Sequence, residues 1–439
     1  MSVEALRFSI IGLGKLGSPM AAVFAHKGFQ VIGLDINPAF VAALAEGRAP
    51  VDETGLQPMI DQNRERIRAT TNYKTAIHES DVTFVIVPTP SGPDLFFTNK
   101  FVIEAMQNIG AALRSKSGYH LVVVTSTVMP GSTGGVIQEA LEAASGRKVG
   151  PDMGLAYNPE FIALGSVVRD MLRPDMILIG ESDPKAGQIL EDIYKRSTDT
   201  NPEIHRMSFV NAELTKISVN TFVTTKISYA NMIADMCDRL PGADADVVNA
   251  AVGADSRIGR KYLKSAIGYG GPCFPRDNKA FAALGRKLGA RSDLAEATDR
   301  INDHQLARLQ GAVEASASPG QRVAVIGLSY KPETAVIEAA QGVMLAKILA
   351  DAGYKVSIYD PLAGAAASAQ LGASVTLAAS ANDAARAADV IVITTPWAEF
   401  KTLDVAAISG KTVIDPWRVL GSDAAAATKR HVVPGKSPA

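Results

Sequence analysis

The chain has almost no cysteine: two in 439 residues, Cys237 and Cys273. Two thiols cannot build a disulfide framework, and neither stands at metal-ligand spacing. Charge of one sign is also missing. Lys and Arg number 44 against 45 Asp and Glu, for a net charge of −1. No global field therefore draws in nucleic acid or anionic lipid, although local anion sites are compatible with it. No apolar run reaches membrane-spanning length, and the N-terminus enters a strand pattern without a basic leader and long apolar stretch. These absences lead us to expect a cytoplasmic protein with no nucleic-acid, membrane or metal partner, in a reducing compartment that leaves a thiol free to react. The composition, 47% hydrophobic and 20% charged, is that of a globular chain with a full core, and the length suggests two to four domains of roughly 100–200 residues.

Glycine is abundant where it matters. Phe8-Ser-Ile-Ile reads as a buried strand and runs into Gly12-Leu13-Gly14-Lys15-Leu16-Gly17, a helical pattern from Ser18 to Lys27, and a second apolar run, Gln30 to Leu34, that ends in Asp35. Strand, glycine turn, helix, strand, acid is the dinucleotide-binding order. The glycines serve a tight turn, room for a pyrophosphate and close helix–strand packing, and the helix N-terminus offers N–H groups to the phosphates. A carboxylate at Asp35 suits two ribose hydroxyls and repels a 2′-phosphate, so the expected cofactor is NAD. Three further apolar runs end at Thr89, at Ser126-Thr127 and at Asn158-Pro-Glu160-Phe161. In a parallel sheet these ends share the ligand-binding rim; taken singly, each could be an ordinary loop cap.

From Asn211 to about Asp238 there is neither Gly nor Pro, which predicts one long helix. Lys216 and Asn220, four apart, share a face, and Glu213, Thr224 and Asn231 lie roughly along the same stripe. The other face is apolar and could form a dimer contact. Cys237, on the last turn, reads as a small buried residue. A basic segment follows, with Arg257, Arg260, Lys261 and Lys264, and leads into Gly268-Tyr269-Gly270-Gly271-Pro-Cys273-Phe-Pro-Arg276-Asp277. Glycines without a Cβ let a ligand approach, and a thiol at the start of a helix is where a thiolate is favoured. The plain alternatives are a chance Cys in a surface turn and a solvated basic loop. After a linker-like Ser316–Gly320, a second α/β pattern starts at Arg322, with Gly327 but no further glycine fingerprint. Lys331 follows its first strand, and Lys411–Asp415 is expected to close it. The tail from Ser422 is Ala- and Lys-rich and is expected to be mobile.

Seven stretches taken in order resemble the UDP-glucose/GDP-mannose dehydrogenases: the Gly12–Gly17 turn, Ser126-Thr-Val-Met-Pro-Gly, Asn158-Pro-Glu-Phe, Lys216 with Asn220, Asp255-Ser-Arg-Ile-Gly, Gly268–Asp277, and Gly327-Leu-Ser-Tyr-Lys-Pro. The resemblance covers nearly the whole chain. It implies an α/β fold of two Rossmann-like, doubly wound parallel-sheet domains joined by a central helical domain with one long helix. The divisions expected are 1–208, 209–312 and 313–439. It also implies an NAD-dependent, four-electron oxidation of the C6 alcohol of a nucleotide sugar. UDP-glucose is the expected substrate, with GDP-mannose or a UDP-N-acetylhexosamine as alternatives.

The resemblance assigns roles as well. Cys273 would attack the intermediate aldehyde, and Lys216 and Asn220 would stabilise the oxyanion. Asp277 and Thr127 would position water, and Glu160 would do acid/base work. NAD would meet the Gly12–Gly17 turn, Asp35, Thr89, Ser126, Thr127 and Arg276. The sugar nucleotide would meet Glu160, Phe161, Lys216 and Asn220. It would also meet Tyr262, Lys264, Tyr269, Gly270 and Lys331, with Arg257 reaching the substrate of a neighbouring subunit in an obligate homodimer or higher homo-oligomer. Departures are visible: Ile162-Ala-Leu164 stands where Leu-Arg-Glu is common, so a second carboxylate is missing. Phe274-Pro-Arg276 replaces Leu-Pro-Lys, and Ala335-Val-Ile-Glu338-Ala-Ala replaces an acidic and Arg-Glu-Ser pattern after Lys331. A two-electron β-hydroxyacid dehydrogenase would need neither Cys273 nor residues 320–420, and a dinucleotide sensor would keep the fold without turnover.

Overall fold

A computed structural model of the chain describes residues 5–437. It divides into two compact units, Met1–Ser218 and Val219–Ala439, so the helical middle and the second sheet fall largely into one unit.

The first unit is built on eight strands: β1 (Arg7–Ile11), β2 (Gln30–Leu34), β3 (Ile67–Thr70), β4 (Val82–Val85), β5 (Leu121–Val124), β6 (Gly154–Tyr157), β7 (Met176–Glu181) and β8 (Glu203–Met207). Their order is β3-β2-β1-β4-β5-β6-β7-β8, parallel throughout except where β7 turns antiparallel to β6. Helices cover both faces, so the central strands are apolar on both sides and read as unbroken hydrophobic runs. Phe8, Ile10 and Val123 enter one core layer; Ile11, Val122 and Val124 enter the other.

A buried polar string interrupts that layer. Lys116 Nζ lies 2.8 Å from His120 Nδ1, His120 Nε2 lies 2.7 Å from Thr83 Oγ1, and Thr83 meets Ser9 at 2.7 Å. An ammonium can only donate, so Nδ1 accepts, Nε2 carries the hydrogen and the ring is neutral. Burial, and then the Lys116 charge, hold His120 well below the usual histidine range. The unfolded chain takes up a proton here below about pH 6.5 and the folded chain does not, so this group's stabilisation is complete above that pH and is lost on acidification. Stability, followed as the melting temperature, should fall between pH 7 and pH 5, the ring contributing up to about 1.4 kcal/mol per pH unit. A His120→Gln protein should show a shallower fall; equal slopes in both would show that the ring does not carry the effect.

The second unit carries β9 (Arg322–Ile326), β10 (Lys355–Tyr359), β11 (Val375–Leu377), β12 (Val390–Ile393), β13 (Thr412–Ile414) and β14 (Arg430–Val432). The order β11-β10-β9-β12-β13-β14 repeats the first six strands of the other sheet. Gly327 (φ +93°) makes the turn after β9 as Gly12 (φ +99°) makes it after β1. A Cβ on Gly342 would sit 2.3 Å from the Gly327 carbonyl oxygen, just as one on Gly17 would sit 1.7 Å from that of Gly12. The second sheet therefore keeps the close helix approach, with its partner glycine fifteen residues on rather than five. At the end of β10, Asp360 is consumed internally: it accepts from the N–H groups of Leu328, Ser329, Leu362 and Ala363 and from the Trp397 indole.

Two expectations fail here. The sheet does not close at Lys411–Asp415, because β14 pairs with β13 beyond it. The tail from Ser422 is also built in as far as Ser437, and its last two residues lie outside the described ones. Ser422–Ala427 is helical, and the chain after β14 docks on the turn that follows the long helix, where Ala245 N–H donates to Gly435 O and Ser437 N–H to Ala243 O. Small side chains allow this docking, since a Cβ on Gly435 would come 2.9 Å from Ala234 Cβ.

Candidate active site

The long helix spans Phe209–Cys237, and its polar stripe holds loops in place. In the first unit, Glu213 is fully buried and its two oxygens accept from Gly131 N–H (2.6 Å) and Thr133 N–H (2.7 Å), fixing the loop after β5. Lys216 is only 7% exposed. Its ammonium donates to the Glu160 carbonyl oxygen at 2.6 Å and lies 4.6 Å from the centre of the Phe161 ring. Burial pushes the Glu160 carboxyl up to about 7, against the opposing pull of the Lys216 charge.

The rim read from the strand ends is stitched together. The Thr89 hydroxyl donates to Thr127 O at 2.7 Å, and the Ser126 hydroxyl donates to Val87 O at 2.7 Å. Glu160 follows β6, next to β5 in the sheet.

The turn after β1 fits NAD. Gly12 needs its positive φ, and a Cβ on it would strike Ile86 O at 2.3 Å, whereas a Cβ on Gly14 would meet nothing within 4 Å. That open space lies before the helix Gly17–His26, whose first turn has no acidic side chain, as a pyrophosphate requires. Asp35 is aimed by Leu13 N–H (2.6 Å) and Asn37 N–H (2.8 Å). Next to it, Ile36 is 80% exposed, an apolar surface suited to an adenine face. The sequence reading missed Ile36, although a large apolar residue directly after the strand-end acid was the available signal. Lys15 is exposed and Leu16 half-buried within the turn.

In the second unit, the same helix anchors the Cys loop. Asn220 Nδ2 donates to Asp277 Oδ2 at 2.7 Å. Thr224, whose hydroxyl donates to Thr221 O at 2.8 Å, lies 3.3 Å from Asn278 Oδ1, and Asn231 bonds Ala266 N–H and Ile267 O at 3.0 Å each. Asp277 is 1% exposed and also accepts from Arg276 Nε at 3.1 Å. Cys273 is exposed at the N-cap position of the helix Phe274–Leu288. Its loop is tightly backed: a Cβ on Gly270 would lie 2.3 Å from Ala339 O, and one on Gly271 would run into the Tyr330 ring at 2.6 Å. Tyr269 is buried, with its hydroxyl donating to Asp299 at 2.8 Å.

Tyr262 is half exposed with φ +63°, Lys264 is exposed and Lys331 half-buried. The Arg257 side chain is 87% exposed and pairs with Asp255. Cys237 is 4% exposed, as expected of a small core residue. Among the described residues no cluster could hold a metal ion, and no helix is long and apolar enough to cross a membrane.

Comparison with known proteins matches the chain over most of its length. The sequence model of the UDP-glucose/GDP-mannose dehydrogenase family matches in three parts: its NAD binding domain at residues 6–198, its central domain at 210–304 and its UDP binding domain at 324–422. The chain is 37% identical over 421 residues to the UDP-glucose 6-dehydrogenase AglM of Haloferax volcanii, covering 94% of this chain and 97% of that one. It is 32% identical to the UDP-glucose 6-dehydrogenase TuaD of Bacillus subtilis, covering 91% and 85%. A solved UDP-glucose dehydrogenase from Pyrobaculum islandicum superposes with a TM-score of 0.91 at 34% identity, covering 99% of both chains. With the third domain matched, the β-hydroxyacid dehydrogenase and sensor readings fall away. The chain belongs to the UDP-glucose/GDP-mannose dehydrogenase family, and it is an NAD-dependent nucleotide-sugar 6-dehydrogenase.

Proposed function

We propose that the protein oxidises UDP-glucose at C6 to UDP-glucuronate, with Cys273 carrying the sugar covalently between two oxidations. The observation that carries this reading is the exposed thiol at a helix N-terminus, where negative charge on sulfur is favoured. The preference for UDP-glucose is supported by the relatives bearing that name and by the match to a UDP binding domain.

Bound NAD would supply the hydride acceptor, twice per sugar. The C6 hydroxyl gives up a proton and a hydride and becomes an aldehyde. The Cys273 sulfur adds to the aldehyde carbon, and the ammonium of Lys216 with the amide of Asn220 stabilises the oxygen that gains charge. Loss of the second hydride leaves a thioester. Water, positioned by Asp277 and Thr127, adds to the carbonyl; the C–S bond breaks, and carboxylate and thiol are released. Glu160 takes the proton from that water. We assign the sugar nucleotide also to Phe161, Tyr262, Lys264, Tyr269, Gly270 and Lys331, and NAD also to Arg276.

The enzyme is read as a cytoplasmic homodimer. Phe222, Tyr229, Met236 and Leu240, at 64%, 42%, 56% and 63% exposure, recur along the long helix and its end at helical spacing. Arg257 projects outward, as a residue serving a second subunit would. The test is turnover with UDP-glucose, GDP-mannose and UDP-N-acetylhexosamines, counting NADH. Two NADH per uronate from UDP-glucose supports the reading; one NADH, or preference for another sugar nucleotide, overturns it. With the Glu160 carboxyl near 7, kcat should rise with pH through that value as the base ionises. Glu160→Gln should lose this limb and about 10²–10⁴ of the rate.

A further inference from the structure

The carboxyl of Glu160 has a second neighbour that the chemistry above leaves unused. Asn158 Nδ2 donates to Leu178 O at 2.9 Å, which fixes the amide orientation. Its Oδ1 therefore faces Tyr194, whose hydroxyl lies 2.5 Å away. The same hydroxyl is 3.4 Å from Glu160 Oε1. A phenol has one hydrogen, and the shorter contact shows where it points. Toward Glu160 the Tyr194 oxygen offers only lone pairs. An ionised carboxylate would face another acceptor there, whereas a protonated one can donate.

Glu160 is part-buried, but on its Tyr194 side there is little room for water. Glu160 and Tyr194 line a cavity of about 10 Å³ together with Met20, Val23, Phe24, Met171 and Ile177, room for one water at most.

We propose that Tyr194 is a positioning residue: committed as donor to Asn158, it presents an acceptor oxygen to Glu160 and holds that carboxyl in its protonated, donating form in the resting enzyme. This rests on the reading of Glu160 as the base of the hydrolytic step. The upward displacement of Glu160 to about 7 comes from burial; a Tyr194 hydrogen aimed at the carboxylate would oppose it, but that hydrogen is given to Asn158. Tyr194 itself is pushed far above the phenol range, first by burial and then by the Glu160 charge, so it stays a neutral phenol. Glu160 is thereby kept from acting as a base until the solution pH or a bound ligand draws its proton away.

The test is Tyr194→Phe, which removes the oxygen and keeps the ring. The acid limb of the kcat–pH profile should move to lower pH, raising the ratio of kcat at pH 6 to that at pH 8 by about threefold. A move to higher pH would mean that Tyr194 donates to Glu160, and an unmoved limb that it does nothing; either overturns the proposal. Infrared difference spectra of resting wild type against Glu160→Gln at pH 6 give a readout independent of turnover. A protonated-carboxyl band is expected, and its absence would also overturn the proposal. If Glu160→Gln keeps full activity and the limb, it is the general-base role that fails; the pH at which the infrared band is lost, compared between wild type and Tyr194→Phe, still decides the Tyr194 contact.

Discussion

Cys273→Ser stops uronate formation, by at least about 10³-fold on the scale of nucleophile removals in covalent catalysis, while NAD binds as before. The expectation follows from placement. The sulfur sits at a helix N-terminus, and a hydroxyl there cannot be charged as readily as a thiol. The loop itself should survive, because its shape is set by Gly270 and Gly271 against Ala339 and Tyr330 and by Asn220 on Asp277; none of these involves the sulfur. The informative readouts are NADH per sugar and the product's oxidation level. Aldehyde with at most one NADH fits a missing trap. Uronate at the wild-type rate would mean that no thioester forms.

Gly12→Ala has the second large effect, on cofactor affinity. The new methyl meets the Ile86 carbonyl oxygen at 2.3 Å in a backbone held at φ +99°, so strain and overlap add to roughly 2–4 kcal/mol. If the turn must open to relieve them, NAD affinity falls by on the order of 10²-fold, at tenfold per 1.4 kcal/mol. Gly327→Ala is the matched control. It has the same defect in the other sheet, at φ +93° with Thr395 N–H 2.4 Å away, and should lower stability without changing NAD affinity. Calorimetric titration of both variants with NAD separates the outcomes. Normal binding by Gly12→Ala would show that this turn is not the pyrophosphate cradle.

Both predictions use features legible in the sequence, and the reason is locality. The Gly12–Gly17 turn, Asp35 and the Cys loop each lie within a short window, and hydrophobic runs betray strands buried on both faces. The polar stripe of the long helix was legible too, because Lys216, Asn220 and Asn231 follow helical spacing. Its partners were not, since they come from loops tens of residues away. Gly342 escaped because the second sheet separates the paired glycines by a long loop. Tyr194 escaped for a similar reason: only the sheet brings Asn158, Leu178 and the helix Pro184–Ser197 together. The tail was misread because Ala- and Lys-rich composition suggests a solvated end. Composition does not reveal a receiving surface such as the one Ala234 and Ala245 offer Gly435.

The docked strand β14 bears on how this protein is made. It is the last strand of its sheet to be synthesised, yet it covers the edge of β13, and the residues after it fasten to a turn translated nearly two hundred residues earlier. Until β14 emerges from the ribosome, β13 is the bare edge of the second sheet and able to pair with other chains; afterwards the edge is the three-residue β14, fastened by the residues that follow it. The first unit has no such wait, because all its strands precede the long helix. Nascent chains stalled before Arg430 should therefore hold a finished cofactor fold joined to an unfinished, aggregation-prone one.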